Sequence, residues 1–409
     1  MITLDQVLSG RNILRATKQV VSNKGAPGID GMTVDQYEAH HRRHWRSIAE
    51  HIRAGSYIPA PVRRVDIPKP NGGTRMLGIP TVQDRVIQQA IAQILVEAYD
   101  LHFSNSSYGF RPGRSALEAI EQASRYIKEG KNWVVEMDLE KFFDTVNHDR
   151  LMARLAKRIK DKALLKLIGR YLRNGIMQNG LVSTREEGTP QGSNLSPILS
   201  LIVLDELDKH LESRGLSFCR YADDCNLFVS SRQAWERVLE KTIKFIEGTL
   251  KLRVNRSKSA SFVLRSPNFS DIRSWERQGR RVSLRRALHD LCTSSSRGRG
   301  RSLLGTIQAL TMILRGWRTY YALDDRKEVF ERIDIHIRRH LRKLVWRAWK
   351  RPKTRERELR RRGLSSEQAW KSSVNGRGPW WNANASHTLK AFPNSVFRRM
   401  GLYSLLSKA

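Results

Sequence analysis

The sequence predicts an α+β fold, and three observations carry that reading. From Met1 to about Ala260 helical patterns alternate with short β-branched and aromatic runs. From about Ser283 the strand signals fade. Two long basic helical patterns then fill Ser302 to Leu323 and Arg326 to Arg351. A chain of 409 residues suits two or three domains. We divide it at 1–260, 261–350 and 351–409, with the Ser/Arg/Asn-rich stretch Ser261 to Arg281 as a linker.

In chain order, Asn23-Lys24-Gly25-Ala26-Pro27-Gly28-Ile29-Asp30-Gly31 has the composition of a loop. Ile67-Pro68-Lys69-Pro70-Asn71-Gly72-Gly73-Thr74-Arg75 is a turn that folds a hairpin back on itself and brings Lys69 and Arg75 together. Ile87, Ala90, Ile91, Ile94 and Leu95 recur on one face, predicting a helix over Gln83 to Tyr99. Trp133 to Met137 alternates like a strand and ends at Asp138. Gly188-Thr189-Pro190-Gln191-Gly192-Ser193 is a tight loop before a second apolar helix over Leu195 to Leu211. Leu216 to Arg220 and Cys225 to Val229 flank Tyr221-Ala222-Asp223-Asp224, which predicts a β-hairpin with two carboxylates at its tip.

A formal net charge of +34 points to a polyanionic partner, most simply nucleic acid. The excess is concentrated. Between Arg326 and Gly363 sixteen Lys/Arg face five Asp/Glu, interleaved with Ile333, Ile337, Leu341, Leu344, Trp346 and Trp349. One helical face can pack while the other meets phosphates. No apolar stretch approaches the roughly 20 residues of a spanning helix, and the N-terminus lacks a signal-peptide core, so a cytoplasmic protein is expected. Three cysteines, Cys219, Cys225 and Cys292, lack Cys-x-x-Cys spacing and support neither a disulfide framework nor a zinc site.

The paired acids define candidate chemistry. If a sheet sets Asp138 beside the hairpin, carboxylates from two strands can hold two Mg²⁺ ions for nucleotidyl transfer. Mn²⁺ fits the same oxygen ligands.

Taken in order, the Ile67–Arg75 block, Tyr108-Gly109-Phe110-Arg111-Pro112-Gly113-Arg114-Ser115, Met137-Asp138-Leu139-Glu140-Lys141-Phe142-Phe143-Asp144, the Gly188–Ser193 loop and the Asp-Asp hairpin resemble the reverse transcriptase blocks of bacterial group II intron-encoded proteins. Leu314-Arg315-Gly316-Trp317 and Gly376-Arg377-Gly378-Pro379-Trp380-Trp381 resemble the short, class C-like group in which no endonuclease domain follows. The resemblance implies a right-hand polymerase: fingers and palm, then a helical, maturase-like thumb and a small basic DNA-binding domain. It implies an RNA-directed DNA polymerase that also acts as maturase, with RNA template, DNA primer, dNTPs, intron RNA and target DNA as partners.

By the same resemblance, Asp138 and Asp223 are metal ligands with the Leu139 carbonyl as a further oxygen. Asp224 either joins them or acts through its charge. Lys69 and Arg75 grip the incoming triphosphate, Phe143 excludes a 2′-hydroxyl by volume, and Gln191 touches nucleotide and template. Lys258 lies near the nucleotide as a candidate general acid. Glu140, Asp144 and Asp149 are read as structural acids. The loop with Lys24 and Gly25 lies over template and primer, or is a simple connector. Further nucleic-acid contacts are expected from Arg111, Arg114, Arg338, Arg342, Lys350 and Arg351.

One block departs from the pattern. The family's Phe-Leu-Gly-Phe-like primer grip is not recognisable in Ser261 to Arg281; either Phe262-Val263-Leu264 replaces it or primer placement is altered. Two other readings therefore stand beside the active maturase polymerase: an RNA-binding splicing factor that no longer polymerises, and a free-standing polymerase of repair or phage defence.

Overall fold

The computed structural model describes residues 2–68, 74–140, 142–178, 181–183, 192–256, 261–263, 302–320 and 327–407. Its contacts divide the chain into two compact units, Met1–Pro267 and Asn268–Ala409.

The first unit contains two helices that are buried along most of their length. The helix α1 (Val82–Tyr99) buries Val82, Val86, Ile87, Ala90, Ile91 and Leu95. Its partner α2 (Ser196–Ser213) buries Ile198, Leu199, Leu201, Ile202, Leu204, Leu207 and Leu211. The apolar residues of both helices belong to one core cluster; α1 buries Gln83, Asp84, Arg85 and Gln88 as well. The helix start at Thr81 is unusually well fastened. Thr81 Oγ1 accepts from the Asp84 amide, and the Asp84 carboxylate accepts from Thr81 Oγ1 (2.7 Å), Tyr57 Oη (2.7 Å), Tyr171 Oη (3.0 Å) and the Ala60 amide (3.1 Å). Burial raises the Asp84 pKa, and these four donors oppose the rise.

The unit also contains two four-stranded sheets. One has the order β2-β1-β4-β5 and joins β1 (Val62–Pro68), β2 (Thr74–Ile79), β4 (Ile176–Gln178) and β5 (Leu181–Ser183). There β1 and β2 form an antiparallel hairpin in which Pro68 faces Thr74, while β1 runs parallel to β4. The other sheet has the order β6-β7-β3-β8, with β3 (Trp133–Met137), β6 (Ser217–Tyr221), β7 (Asp224–Val229) and β8 (Ser261–Val263), all antiparallel. The stretch expected to be a linker from Ser261 therefore opens with a strand: Val135, Val134 and Trp133 pair with Ser261, Phe262 and Val263. Residues 264–281 lie outside the described residues. Cys219 and Cys225 are buried free thiols that pack in the hairpin.

The second unit is helical in its described residues. Its long members, α3 (Leu303–Tyr320) and α4 (Lys327–Ala348), match the two basic helical patterns of the sequence. One apolar cluster joins Ile307, Leu314, Ile337 and Trp346 to Leu359, Phe392, Phe397 and Leu405, so residues on both sides of position 350 share a core. Arginines serve this core as well as the surface. Arg355 lies 4.8 Å from the Trp346 ring centre, and Arg362 lies 5.1 Å from Trp349 and 4.7 Å from Phe392.

His340 is buried on α4, and burial together with Lys343, His336 and Arg347 pushes its pKa from 6.5 down to about 4. Between those values the unfolded chain takes up a proton that the folded chain refuses. The neutral ring therefore contributes stability above pH 6.5 that is lost as pH falls toward 4. We expect the melting temperature of the chain to fall across that window and the slope to flatten in His340→Asn, as checked by thermal unfolding at stepped pH. For the first unit, Asp84→Asn exchanges two acceptor oxygens for one and sets an amide against incoming donors. It should cost about 1–3 kcal/mol, measured by urea unfolding.

Candidate active site

The site starts from strand register. Antiparallel pairing sets Met137 of β3 opposite Cys225 of β7, and Tyr221 opposite Asp224 closes the two-residue Ala222-Asp223 turn. One residue beyond Met137, Asp138 comes level with the start of β7. Both Asp138 and Asp223 line a single cavity of about 950 Å³. The expected juxtaposition of the two motifs is present.

Asp138 is held by residues 253–255, the chain that leads into the Lys258 block; there the sequence reading singled out the lysine and not Asn255. The Asn255 amide nitrogen donates to Asp138 Oδ2 at 3.1 Å, and the Asn255 backbone N–H donates to the Asp138 carbonyl at 2.9 Å. The Glu140 amide donates to the Arg253 carbonyl at 2.8 Å, and Leu139 pairs with Val254 between them. In such an antiparallel pair the groups of the flanking residues make the bonds, so the Leu139 carbonyl is turned away from residues 253–255. Leu139 also lines the cavity. Asp224 begins β7 and is exposed, and it is not part of the cavity wall. Among the described residues no group of three or more His, Cys, Asp or Glu is arranged to hold a metal ion. Two carboxylates and a backbone carbonyl are instead a hard-oxygen set of the type that binds Mg²⁺ or Mn²⁺ with water and substrate phosphates completing the shell.

Phe143 is half-buried on the cavity wall, its ring 5.2 Å from buried Phe142 in a T-shaped pair that fixes its direction. Glu140 and Asp144, read from sequence as structural, line the same space, as do Arg64, Asp66 and Phe110. Arg75 sits in β2 opposite Ile67. Lys69, Gln191 and Lys258 lie outside the described residues. The chain next to Gln191 is anchored, since Ser193 Oγ donates to Gln88 Oε1 at 2.9 Å. Gly192 has φ +107°, and a Cβ there would come within 2.6 Å of the Gly78 carbonyl oxygen.

Several expected nucleic-acid contacts are corrected. Arg111 is buried: its guanidinium donates to Asp100 Oδ1 (2.7 Å) and to the carbonyls of Ser104 (2.6 Å), Ser107 (3.1 Å) and Asp100 (2.8 Å). Arg342 is also buried and donates to the Ala383 carbonyl at 3.0 Å. Neither guanidinium is presented to a phosphate. Gly25 lies against the Arg85 guanidinium, which donates to the Ala26 carbonyl at 2.9 Å, so the N-terminal loop is fastened to α1. Lys24, Lys350 and Arg351 are exposed. Arg114 is half-buried against the Tyr108 ring, and Arg338 stands 3.7 Å from Asp334.

Sequence reasoning also missed the support beneath the turn. Arg220 and Asp208 are both fully buried, with Arg220 Nε donating to Asp208 Oδ1 at 2.7 Å and Nη2 to Oδ2 at 2.5 Å. An Asp twelve residues before an Arg, one on a helix and one on a strand, leaves no periodic signal.

Two carboxylates, one just past the end of β3 and one in the turn that enters its partner β7, line one large cavity together with Phe142, Phe143 and residues of the β1–β2 hairpin, which defines the class as a template-directed nucleic-acid polymerase. The family follows from comparison with known proteins. The model of the reverse transcriptase (RNA-dependent DNA polymerase) family matches residues 67–289, more than half of the chain, and that of the group II intron maturase-specific domain matches 282–363. The chain belongs to the reverse transcriptase family and carries a group II intron maturase domain. Protein YkfC of Escherichia coli K12 is 34% identical over 287 residues, covering 60% of this chain and 75% of that protein. Group II intron-encoded protein LtrA of Lactococcus lactis is 37% identical over 206 residues, covering 50% of this chain and 34% of LtrA. A putative COX1/OXI3 intron 2 protein of Saccharomyces cerevisiae is 37% identical over 207 residues, 50% of this chain and 24% of that protein. The chain thus spans three quarters of YkfC but about a third or less of the other two.

If Phe143 sets the volume of the sugar site, Phe143→Ala opens it. Discrimination against ribonucleotides should fall by about 10-fold or more, the range over which pocket volume governs selectivity, read as the ratio of kcat/KM for dNTP and rNTP.

Proposed function

We propose that this chain copies RNA into DNA and, as the maturase of its own group II intron, binds the intron RNA to assist splicing and mobility. The observation that carries the polymerase reading is the convergence of Asp138 and Asp223, at adjoining ends of the paired strands β3 and β7, on one cavity large enough for a nucleotide. Asp138, Asp223 and the Leu139 carbonyl would hold two Mg²⁺ ions, and bound there the ions would supply activation of the primer 3′-hydroxyl and charge stabilisation of the leaving pyrophosphate. Asn255 holds Asp138 by its side-chain oxygen. Asp224 adds negative charge at the start of β7, outside the cavity wall. Phe143 rejects a ribose 2′-hydroxyl, to which its ring offers no hydrogen bond. Residues of β1 and β2 wall the cavity, and on this reading Lys69 and Arg75 neutralise triphosphate charge while Gln191 and Lys258 contact the nucleotide.

On this reading residues 1–260 are fingers and palm, 261–350 the thumb and 351–409 a DNA-binding domain. Lys24, Arg114, Arg338, Lys350 and Arg351 contribute phosphate contacts, which position a nucleic acid without reading its sequence. A net charge of +34 suits a nucleoid-associated protein of the bacterial cytoplasm, and among the described residues no helix is long and apolar enough to cross a membrane.

The test is incorporation of dNTPs on a primed RNA template with Mg²⁺, wild type against Asp223→Asn. We expect synthesis by the wild type and a loss of at least about 100-fold in the variant, the scale set by removing one charge-stabilising group from a reaction centre. A folded, RNA-binding wild type that makes no DNA would refute the polymerase reading.

A further inference from the structure

We propose that Arg220 is a positioning residue for nucleotidyl transfer: it holds the Ala222-Asp223 turn in the one conformation that presents Asp223 to the cavity. The inference rests on the polymerase reading above and goes beyond its metal and nucleotide ligands.

The turn is strained. Ala222 has φ +60°, in the left-handed region, and a two-residue hairpin turn with a positive φ at its first central residue normally places glycine there. Such a conformation persists only where the surroundings over-determine it. Here they do so from two sides. From below, Arg220 Nη1 donates to the Ala222 carbonyl at 2.8 Å, the carbonyl of the strained residue itself. The rest of the guanidinium is engaged, by the two bonds to Asp208 of α2 and by Nη2 donating to Ser107 Oγ at 2.7 Å. From the side, the segment at Ser106 to Gly109 lies flat on the hairpin. The Arg220 amide donates to the Ser106 carbonyl at 2.8 Å and the Tyr108 amide to the Arg220 carbonyl at 2.9 Å. A Cβ on Gly109 would stand 2.3 Å from the Ala222 nitrogen, so only glycine allows that approach. Arg111, two residues on, clips this segment to Asp100.

A planar guanidinium has donors for a carboxylate, a hydroxyl and a carbonyl at once; an ammonium is a point charge without that fork. The position therefore demands Arg and not merely a cation. Ion-pair stability alone does not explain it, because a buried pair can be exchanged for apolar residues of similar volume with little loss of stability. What such an exchange removes is the grip on Ala222.

The experiment is single-nucleotide incorporation by the full-length chain, with kcat, KM for the nucleotide and melting temperature measured for wild type, the double variant D208L/R220M and Arg220→Lys. The double variant should melt close to wild type yet lose about 100-fold in kcat, the cost of displacing a reacting group by about an ångström. Its KM should stay within about two-fold, since nucleotide contacts are untouched. Arg220→Lys keeps a charge against Asp208 but cannot also reach the Ala222 carbonyl, and should show the same loss confined to kcat. It decides the matter if the double variant does not fold. Wild-type kcat in either folded variant overturns the positioning role while leaving the polymerase reading intact. A wild type without activity overturns that reading itself, and the positioning role with it.

Discussion

The pairing of β3 with β7 is the constraint on which the rest of the first unit depends. Two acids 85 positions apart in the chain share a cavity because Met137 faces Cys225. A slip of one residue would turn every side chain of the strand to the other face and take Asp138 with it. The neighbours guard that register. β6 and β8 pair on either flank, residues 253–255 bind the chain on both sides of Leu139, and the buried faces of Val135, Met137, Cys225 and Leu227 join the apolar core. Function and packing are thus specified by the same alternation.

Buried polar groups supply what apolar packing cannot, which is direction. Asp84, Asp208, Arg111, Arg220 and Arg342 are all inside, and each is bonded to groups from other segments of the chain. A charge removed from water is costly unless it is paired and hydrogen-bonded. These sites meet that condition with several bonds apiece, so each ties loops to helices in one geometry. A chain with 74 Lys and Arg spends some of them in this way. Basic composition alone therefore overstates the surface available to phosphates, and the arginine-rich second unit shows it, with Arg342, Arg355 and Arg362 packed against aromatic rings and carbonyls of their own core.

Much of the fold was legible in the residues because it rests on local periodicity. The helices over Val82–Tyr99 and Ser196–Ser213, the strand Trp133–Met137, the hairpin around Asp223 and the long helices at Leu303–Tyr320 and Lys327–Ala348 follow the patterns that forecast them. The strand Ser261–Val263 did not, since three residues hold too little alternation to register and gain their partner only from β3.

By itself the sequence determined the kinds of element, their order, the acids at the hairpin tip and the polyanionic character of the partner, since each depends on near neighbours or on summed charge. Only the tertiary structure decided which charged side chains face the cavity and which are spent inside. Arg111 and Arg114 stand three residues apart in one motif, yet one is buried against Asp100 and the other rests on Tyr108 nearer the surface. Asn255, Asp208 and Arg220 acquired their places in the same manner. Burial and hydrogen-bond partnership are set by segments distant in the chain, and no local pattern encodes which segments those will be.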